Sequence, residues 1–521
     1  MVVLLGVAIV ACGALARRYP VAPAILLLLV GVLVGFVPQL QEVQLPPEVV
    51  LLLFLPARLY WVSLTTSLRE IRNNLRVVVL SSTALVLVTA GAVAVAAHAF
   101  GLEWGPAWVL GAALAPTDAT AVGVLARDLP RRAARSLCAE SLVNDGTALV
   151  LYGLAVGVTV GEQQLTGWHV TWLLVLSYGG GVLAGGLVGL LSWQLRRRMD
   201  DPMLEAIAML VTPFAAFLMA DLVDASGVLA VVICGLFMSQ VTPRITGAAT
   251  RQIALPFWAL STTVLSSALF VLIGISAHSA FRELNSETMA RALLDIVLVT
   301  AVVIGVRWVW LWTTPYVIRL LDRRPSQRFR RVPARQRTVS AVAGFRGAVS
   351  LAAVLAVPET VESGAPFPNR DLIVLIASGV IVLTLLQALV LPRVIRFARL
   401  PDDTSVAEEI QLADAYTLDA AMEALDGTAA ELGSDDRVVG RVRHELDKQR
   451  ALVAADSAAD PVVQHDDQYT SLSLALISRR REALLELRDG QRIDDIVLRQ
   501  LQARLDNEEV RFLRASPLEE A

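Results

Sequence analysis

Runs of apolar residues separated by short polar connections dominate the first four hundred positions. A helix needs about 20 apolar residues to cross a bilayer. The pattern predicts thirteen such spans, at roughly 2–16, 21–38, 48–66, 77–99, 105–126, 136–160, 169–195, 203–220, 226–240, 252–277, 292–316, 338–357 and 371–392. Two of them are interrupted at mid-depth. Span five carries Ala115-Pro116-Thr117-Asp118, and span twelve carries Gly344-Phe345-Arg346-Gly347. They are seven spans apart, an odd offset, so an internal repeat relating them has inverted topology. Broken helices at matching positions of two repeats point to a transporter's substrate site.

The arginines set the orientation. Twenty-five of them fall in odd-numbered connections or after the last span, among them Arg17, Arg69, Arg127, Arg196, Arg244, the eight from Arg319 to Arg337, and Arg393. Even-numbered connections hold only Arg282, Arg291 and Arg370. Positive charge collects on the cytoplasmic side, which predicts an outside N-terminus and a cytoplasmic C-terminus. The start, Met1-Val2-Val3-Leu4-Leu5, has no basic flank, so the first run reads as a span and not as a cleaved signal peptide.

The pattern changes after Arg399. Residues 401–521 hold 14 Lys+Arg and 27 Asp+Glu, a net of −13, whereas residues 1–400 hold 31 and 21, a net of +10. Leu484, Leu487, Ile493, Val497, Leu498, Leu501 and Leu505 roughly follow helical spacing, and the Asp- and Ala-rich stretch near 454–470 reads as a loop. Two domains follow: a transmembrane domain, 1–400, and an acidic, helical, cytoplasmic tail, 401–521. The fold class expected is all-α and polytopic.

Composition supports that class. The 521 residues are 55% hydrophobic and 18% charged, against roughly 25% charged for a soluble chain. Cys12, Cys138 and Cys234 show no metal-site or disulfide spacing. No nucleophile–base pair and no cofactor motif appears, so neither an enzyme nor a cofactor is expected, and no nucleic-acid partner.

The candidate chemistry sits in spans five, six, eleven and twelve. Glu140-Ser141-Leu142-Val143-Asn144-Asp145-Gly146-Thr147 lies inside an apolar stretch, where an ionised carboxylate costs about 3 kcal/mol on insertion scales. Ser141 and Asp145 share one helix face, as do Glu140 and Asn144, so the two acids face different neighbours. Pro116 frees backbone oxygens beside Thr117. Thr117, Asp118, Ser141, Asn144 and Asp145 thus offer carboxylate, hydroxyl and carbonyl oxygens, which hard cations prefer. Arg307 and Arg346 lie within predicted spans, cannot shed their charge, and must each find an anion. Glu140 and Asp118 are spare carboxylates, so two buried pairs can form. Asp145 is left without a fixed counter-ion, able to hold a proton or a metal ion but not readily both. That exclusion is the minimum mechanism of proton–cation antiport.

Three motifs carry a resemblance: Pro116-Thr117-Asp118-Ala119-Thr120-Ala121-Val122, Glu140-Ser141-Leu142-Val143-Asn144-Asp145-Gly146 and Gly344-Phe345-Arg346-Gly347-Ala348-Val349-Ser350. In this order they resemble the monovalent cation–proton antiporter family, in particular the bacterial sodium/proton antiporters related to sodium/hydrogen exchangers. The resemblance implies a homodimer in the lipid bilayer of the plasma membrane, with a six-helix core that moves like an elevator. It implies that Asp145 binds the cation and the proton, supported by Asn144; that Glu140 pairs with Arg307; and that Asp118 lies near Arg346. Ser141 and Thr117, from the ligand set above, are expected to hold the monovalent cation with Asp145. Asn-Asp in place of Asp-Asp implies electroneutral exchange. One departure stands out. Relatives often read Leu-Pro-Pro-Leu-Leu-Tyr-Trp-Glu in span three, whereas here Val62 replaces the acid and Arg58 is present. Arg58 is expected to reach the cytoplasmic surface with its head group. The leading function is exchange of Na⁺ (or Li⁺ or K⁺) for H⁺. The alternatives are a K⁺-preferring exchanger and a non-transporting membrane sensor or scaffold acting through the tail.

Overall fold

The computed structural model of the chain describes residues 2–19, 23–37, 50–66, 68–118, 131–161, 167–282, 286–321, 333–387, 389–399, 405–455 and 460–515. Among these residues the fold is all-helical, without a β-strand. The helices are α1 (Val2–Arg18), α2 (Pro23–Val34), α3 (Leu55–Thr65), α4 (Leu68–Ala99), α5 (Trp104–Leu114), α6 (Arg131–Val160), α7 (Gly167–Arg196), α8 (Pro202–Asp221), α9 (Gly227–Ile245) and α10 (Ala248–Arg282). They continue as α11 (Ser286–Leu321), α12 (Ala334–Val342), α13 (Ala348–Leu355), α14 (Arg370–Gln387), α15 (Leu391–Ala398), α16 (Ser405–Leu432), α17 (Asp436–Ala454), α18 (Pro461–Asp489) and α19 (Asp495–Ala515).

Eight helices among the described residues, α4, α6 to α11 and α14, are long and apolar enough to cross a membrane. Three shorter apolar stretches lie at Val3–Ala16, Pro23–Val34 and Leu52–Thr65. Both predicted spans lose their helix at the residues expected to break them. Helix α5 stops at Leu114, and residues 115–118 are non-helical; Pro116 has no N–H to give the ladder. The predicted continuation of span five, including Ala119, Thr120, Ala121 and Val122, lies outside the described residues. Helix α12 stops at Val342, and extended Gly347 precedes α13.

Helix ends elsewhere follow local chemistry. Asp201 accepts from the Met203 and Leu204 amides at 2.7 and 3.0 Å, and Pro202 opens α8, a strong N-terminal signature. Ser226 caps α9 through the Leu229 amide. Helix α5 packs against α4, α6 and α13, and α14 packs against α10 and α11. This places α13, buried along almost its whole length, in the interior of the first unit.

The chain divides into two compact units, Met1–Pro401 and Asp402–Ala521. In the second, α16 pairs with α17 and α18 with α19. Leu498 and Leu505, two of the apolar positions expected to share a face, are buried there with Ile477. The loop expected near 454–470 is shorter. Helix α18 already begins at Pro461, because Asp460 caps the Val462 amide at 2.9 Å. Lys448 donates to Asp466 at 2.7 Å, which raises its pKa.

Candidate functional site

The two interruptions meet. The Asp118 amide donates to the Phe345 carbonyl at 2.8 Å, and the Ala348 amide, at the start of α13, donates to Asp118 Oδ2 at 3.2 Å. Asp118 therefore caps a helix that is 230 positions away in sequence, where a carboxylate complements the exposed amides and the dipole of the first turn. The fit is tight. A Cβ on Gly347 would stand 2.0 Å from Asp118 Oδ2, so only glycine lets the backbone pass. Gly347→Ala is expected to displace the carboxylate and lower the melting temperature of the purified protein, an overpacking cost of about 1–3 kcal/mol. Gly153→Ala, where a Cβ meets open space, is the matched control. Equal melting curves for the two variants would refute the contact.

Helix α6 supplies the other half. Ser141 Oγ donates to the Thr117 carbonyl at 2.6 Å, and Asn144 Nδ2 donates to Thr117 Oγ1 at 2.8 Å. The break in span five exposes that carbonyl, and one turn of α6 clamps it. Ser141, Asn144 and Asp145 are 5%, 1% and 6% exposed, and Thr117 is 6%. Ser141 and Asn144 are thus joined to Thr117, with Asp118 and Asp145 the next residues in sequence after Thr117 and Asn144, and all five predicted ion-site residues are buried. Asp145 Oδ1 is buried with no hydrogen-bond partner. An orphaned buried carboxylate oxygen is costly and is a strong acceptor for an ion or a proton.

The counter-charges are arranged differently from one expectation. Arg307 Nη1 donates to Glu140 Oε1 at 2.9 Å and its Nε to the Ser340 carbonyl at 3.1 Å, so the Glu140–Arg307 pair is present. Gly344 leaves room for it, since a Cβ there would stand 2.3 Å from Arg307 Cδ. Arg346, 1% exposed, does not pair with Asp118. It donates to the Leu114 carbonyl at 2.9 Å and the Gly344 carbonyl at 2.7 Å. Both carbonyls sit at helix breaks, where the normal N–H partners are missing. The arginine therefore satisfies backbone oxygens instead of a carboxylate.

Asp118 is instead ion-paired with Arg58 through Nη2 and Oδ2. Arg58 is 8% exposed, so it does not run to the surface as expected. Val62 is half-buried one turn beyond. A second buried pair was also hidden in the sequence. Arg196, which reads as a loop charge, is 0% exposed; it bonds to Glu205 at 3.1 Å and Thr246 at 2.7 Å. Thr246 and Thr250 in turn donate to Glu205 at 2.9 and 2.7 Å. The available signal was Glu205 in the first turn of a capped helix, within nine residues of Arg196.

Two helix breaks meet beside a buried, partly unpaired carboxylate, inside a bundle of long apolar helices, an arrangement that suits a secondary transporter. The profile of the transmembrane sodium/hydrogen exchanger family matches residues 4–396, and the chain belongs to that family of cation/proton antiporters. It is 45% identical over 519 residues, 98% of this chain and 96% of the other, to a protein of Mycobacterium tuberculosis named as a Na⁺/H⁺ exchanger. It is 29% identical over 414 residues, 75% of this chain and 60% of the other, to a sodium, potassium, lithium and rubidium/H⁺ antiporter of Bacillus pumilus. The solved structure of the sodium proton antiporter MjNhaP1 from Methanocaldococcus jannaschii matches with a TM-score of 0.58 at 20% identity, over 76% of this chain and 96% of that one. At that identity the match concerns the fold.

Proposed function

We propose that the protein exchanges Na⁺ (or Li⁺ or K⁺) for H⁺, one for one, by competition of cation and proton for Asp145. The carrying observation is the contrast among the buried acids. Glu140 has Arg307 and Asp118 has Arg58, while Asp145 Oδ1 has no partner. Ser141 and Thr117 supply neutral oxygens beside it, and Asn144 holds Thr117 in place. Charge counting favours electroneutrality. With Arg58, Arg307 and Arg346 against Asp118 and Glu140, the site bears the same net charge whether Asp145 holds a proton or a monovalent cation. The two exchanging forms of the carrier then cross the membrane with equal electrical work.

The bonds that join the two helix breaks to each other, and the first of them to α6, favour a unit that carries the site across as a whole, an elevator in a homodimer. The reading includes thirteen crossings by residues 1–400, an outside N-terminus, and a cytoplasmic tail at 401–521 of a plasma-membrane protein. K⁺ preference is the second reading, favoured by Val62, which adds no carboxylate to span three. The test is purified protein in liposomes loaded with a pH dye. Na⁺, Li⁺ and K⁺ are added in turn, with and without an imposed membrane potential. Cation-driven proton movement that ignores the potential is expected. No response to any cation refutes antiport, and a response that scales with potential refutes electroneutrality.

A further inference from the structure

We propose that Arg58 keeps the site selective for monovalent cations, by cancelling the charge of the Asp118 carboxylate beside any ion bound at Asp145. The inference rests on the antiport reading above. Asp118 and Thr117 are consecutive, and Thr117 is bonded to Ser141 and Asn144, the latter adjacent to Asp145. Two carboxylates therefore lie close to one point in a buried site, which is the arrangement that suits a divalent ion. Affinity for Ca²⁺ rises with the number of charged oxygens and the rigidity of the site. Both conditions are met in the backbone here, because Asp118 is fixed by its amide to Phe345 and its carboxylate to the Ala348 amide.

The guanidinium of Arg58 changes this result. Bound to Asp118 Oδ2, it cancels the second negative charge and puts a permanent positive charge near the ion. A guanidinium cannot be deprotonated in a protein, so this cancellation holds at every working pH. One charge remains to be neutralised, that of Asp145, and a monovalent ion neutralises it. A divalent ion would enter a site that already holds a tethered cation, uncompensated in a low-dielectric interior. Arg307 and Arg346 do not duplicate the role, since they are bonded to Glu140 and Ser340 and to Leu114 and Gly344.

The experiment uses full-length protein, purified and reconstituted, and reads Na⁺-driven proton movement and melting temperature with increasing Ca²⁺. Wild type is expected to ignore millimolar Ca²⁺. Arg58→Gln is expected to be inhibited and thermally stabilised by Ca²⁺, at concentrations about ten-fold or more lower than any effect on wild type. Its half-saturating Na⁺ is also expected to fall several-fold. Arg58→Gln with Asp118→Asn should lose the Ca²⁺ response, and Arg58→Lys should retain wild-type exclusion. A folded Arg58→Gln protein as indifferent to Ca²⁺ as wild type overturns the proposal. If Arg58→Gln does not fold, Asp118→Asn decides: it frees Arg58 to turn to Asp145, so half-saturating Na⁺ should rise about ten-fold, and an unchanged value overturns the proposal. Absence of exchange in wild type would refute antiport alone, because Ca²⁺ stabilisation in melting curves still judges Arg58.

Discussion

Replacing Asp145 by asparagine abolishes cation-driven proton movement and leaves the fold intact. Asp145→Asn keeps the shape of the side chain and removes the only exchangeable charge of the proposed site. Its Oδ1 makes no hydrogen bond, so no native contact of that atom is lost. A buried ionised carboxylate without a counter-charge is unfavourable, which means that a neutral amide should raise the melting temperature or leave it unchanged. The signature is thus a split: activity falls to background while yield and thermal stability hold. Cation-dependent exchange at wild-type rate in this variant would remove Asp145 from the mechanism. Equal loss of activity and of stability would instead make it a structural residue.

The second large effect is on stability. Arg307 and Glu140 lie 2.9 Å apart with side chains 3% and 16% exposed. Removing one partner strands the other, at a cost of about 3–5 kcal/mol. Glu140→Gln and Arg307→Ala should each reduce yield and melting temperature strongly. Arg307→Ala should be the worse of the two, because it also strands the Ser340 carbonyl and opens space against Gly344. Glu140→Gln combined with Arg307→Ala should recover part of the loss, the mark of coupled residues in a double-mutant cycle. Strictly additive losses would show that the pair contributes no coupling.

Which of these features the sequence discloses depends on whether their cause is local. The apolar runs show where helices lie, since a bilayer span must satisfy its own backbone. Pro116, Gly344 and Gly347 mark the breaks for equally local reasons. Asp145 is legible because its acid sits amid Leu, Val and Ala with no basic neighbour in the motif. The Glu140–Arg307 pair, 167 positions apart, was available through family resemblance and not through spacing. The partners of Asp118 and Arg346 were not legible. The expectation matched arginines to acids by charge, whereas Arg346 is held by two carbonyls released at the helix breaks, and those oxygens appear only once the chain is folded. Arg58, inside predicted span three, then takes the acid that Arg346 leaves. Arg196 misled in a similar way, being a basic residue at a helix end that turns inward to Glu205.

The long sequence separations at the site also govern how the protein is made. Asp118 waits for the Phe345 carbonyl and the Ala348 amide, and Glu140 waits for Arg307. A ribosome delivers the early members of each pair to the membrane some two hundred residues before the late ones, at about 5–20 residues per second. For roughly ten seconds or longer, a nascent chain holds Glu140 without Arg307, and Asp118 with Arg58 but without its backbone partners. Nascent chains arrested before Arg307 should therefore be held by the insertion machinery or degraded, while chains arrested after Ala348 should become protease-resistant. The candidate site is therefore a late part of the first unit to assemble: its contacts close only once Ala348 has been made, with α14 and α15 still to follow.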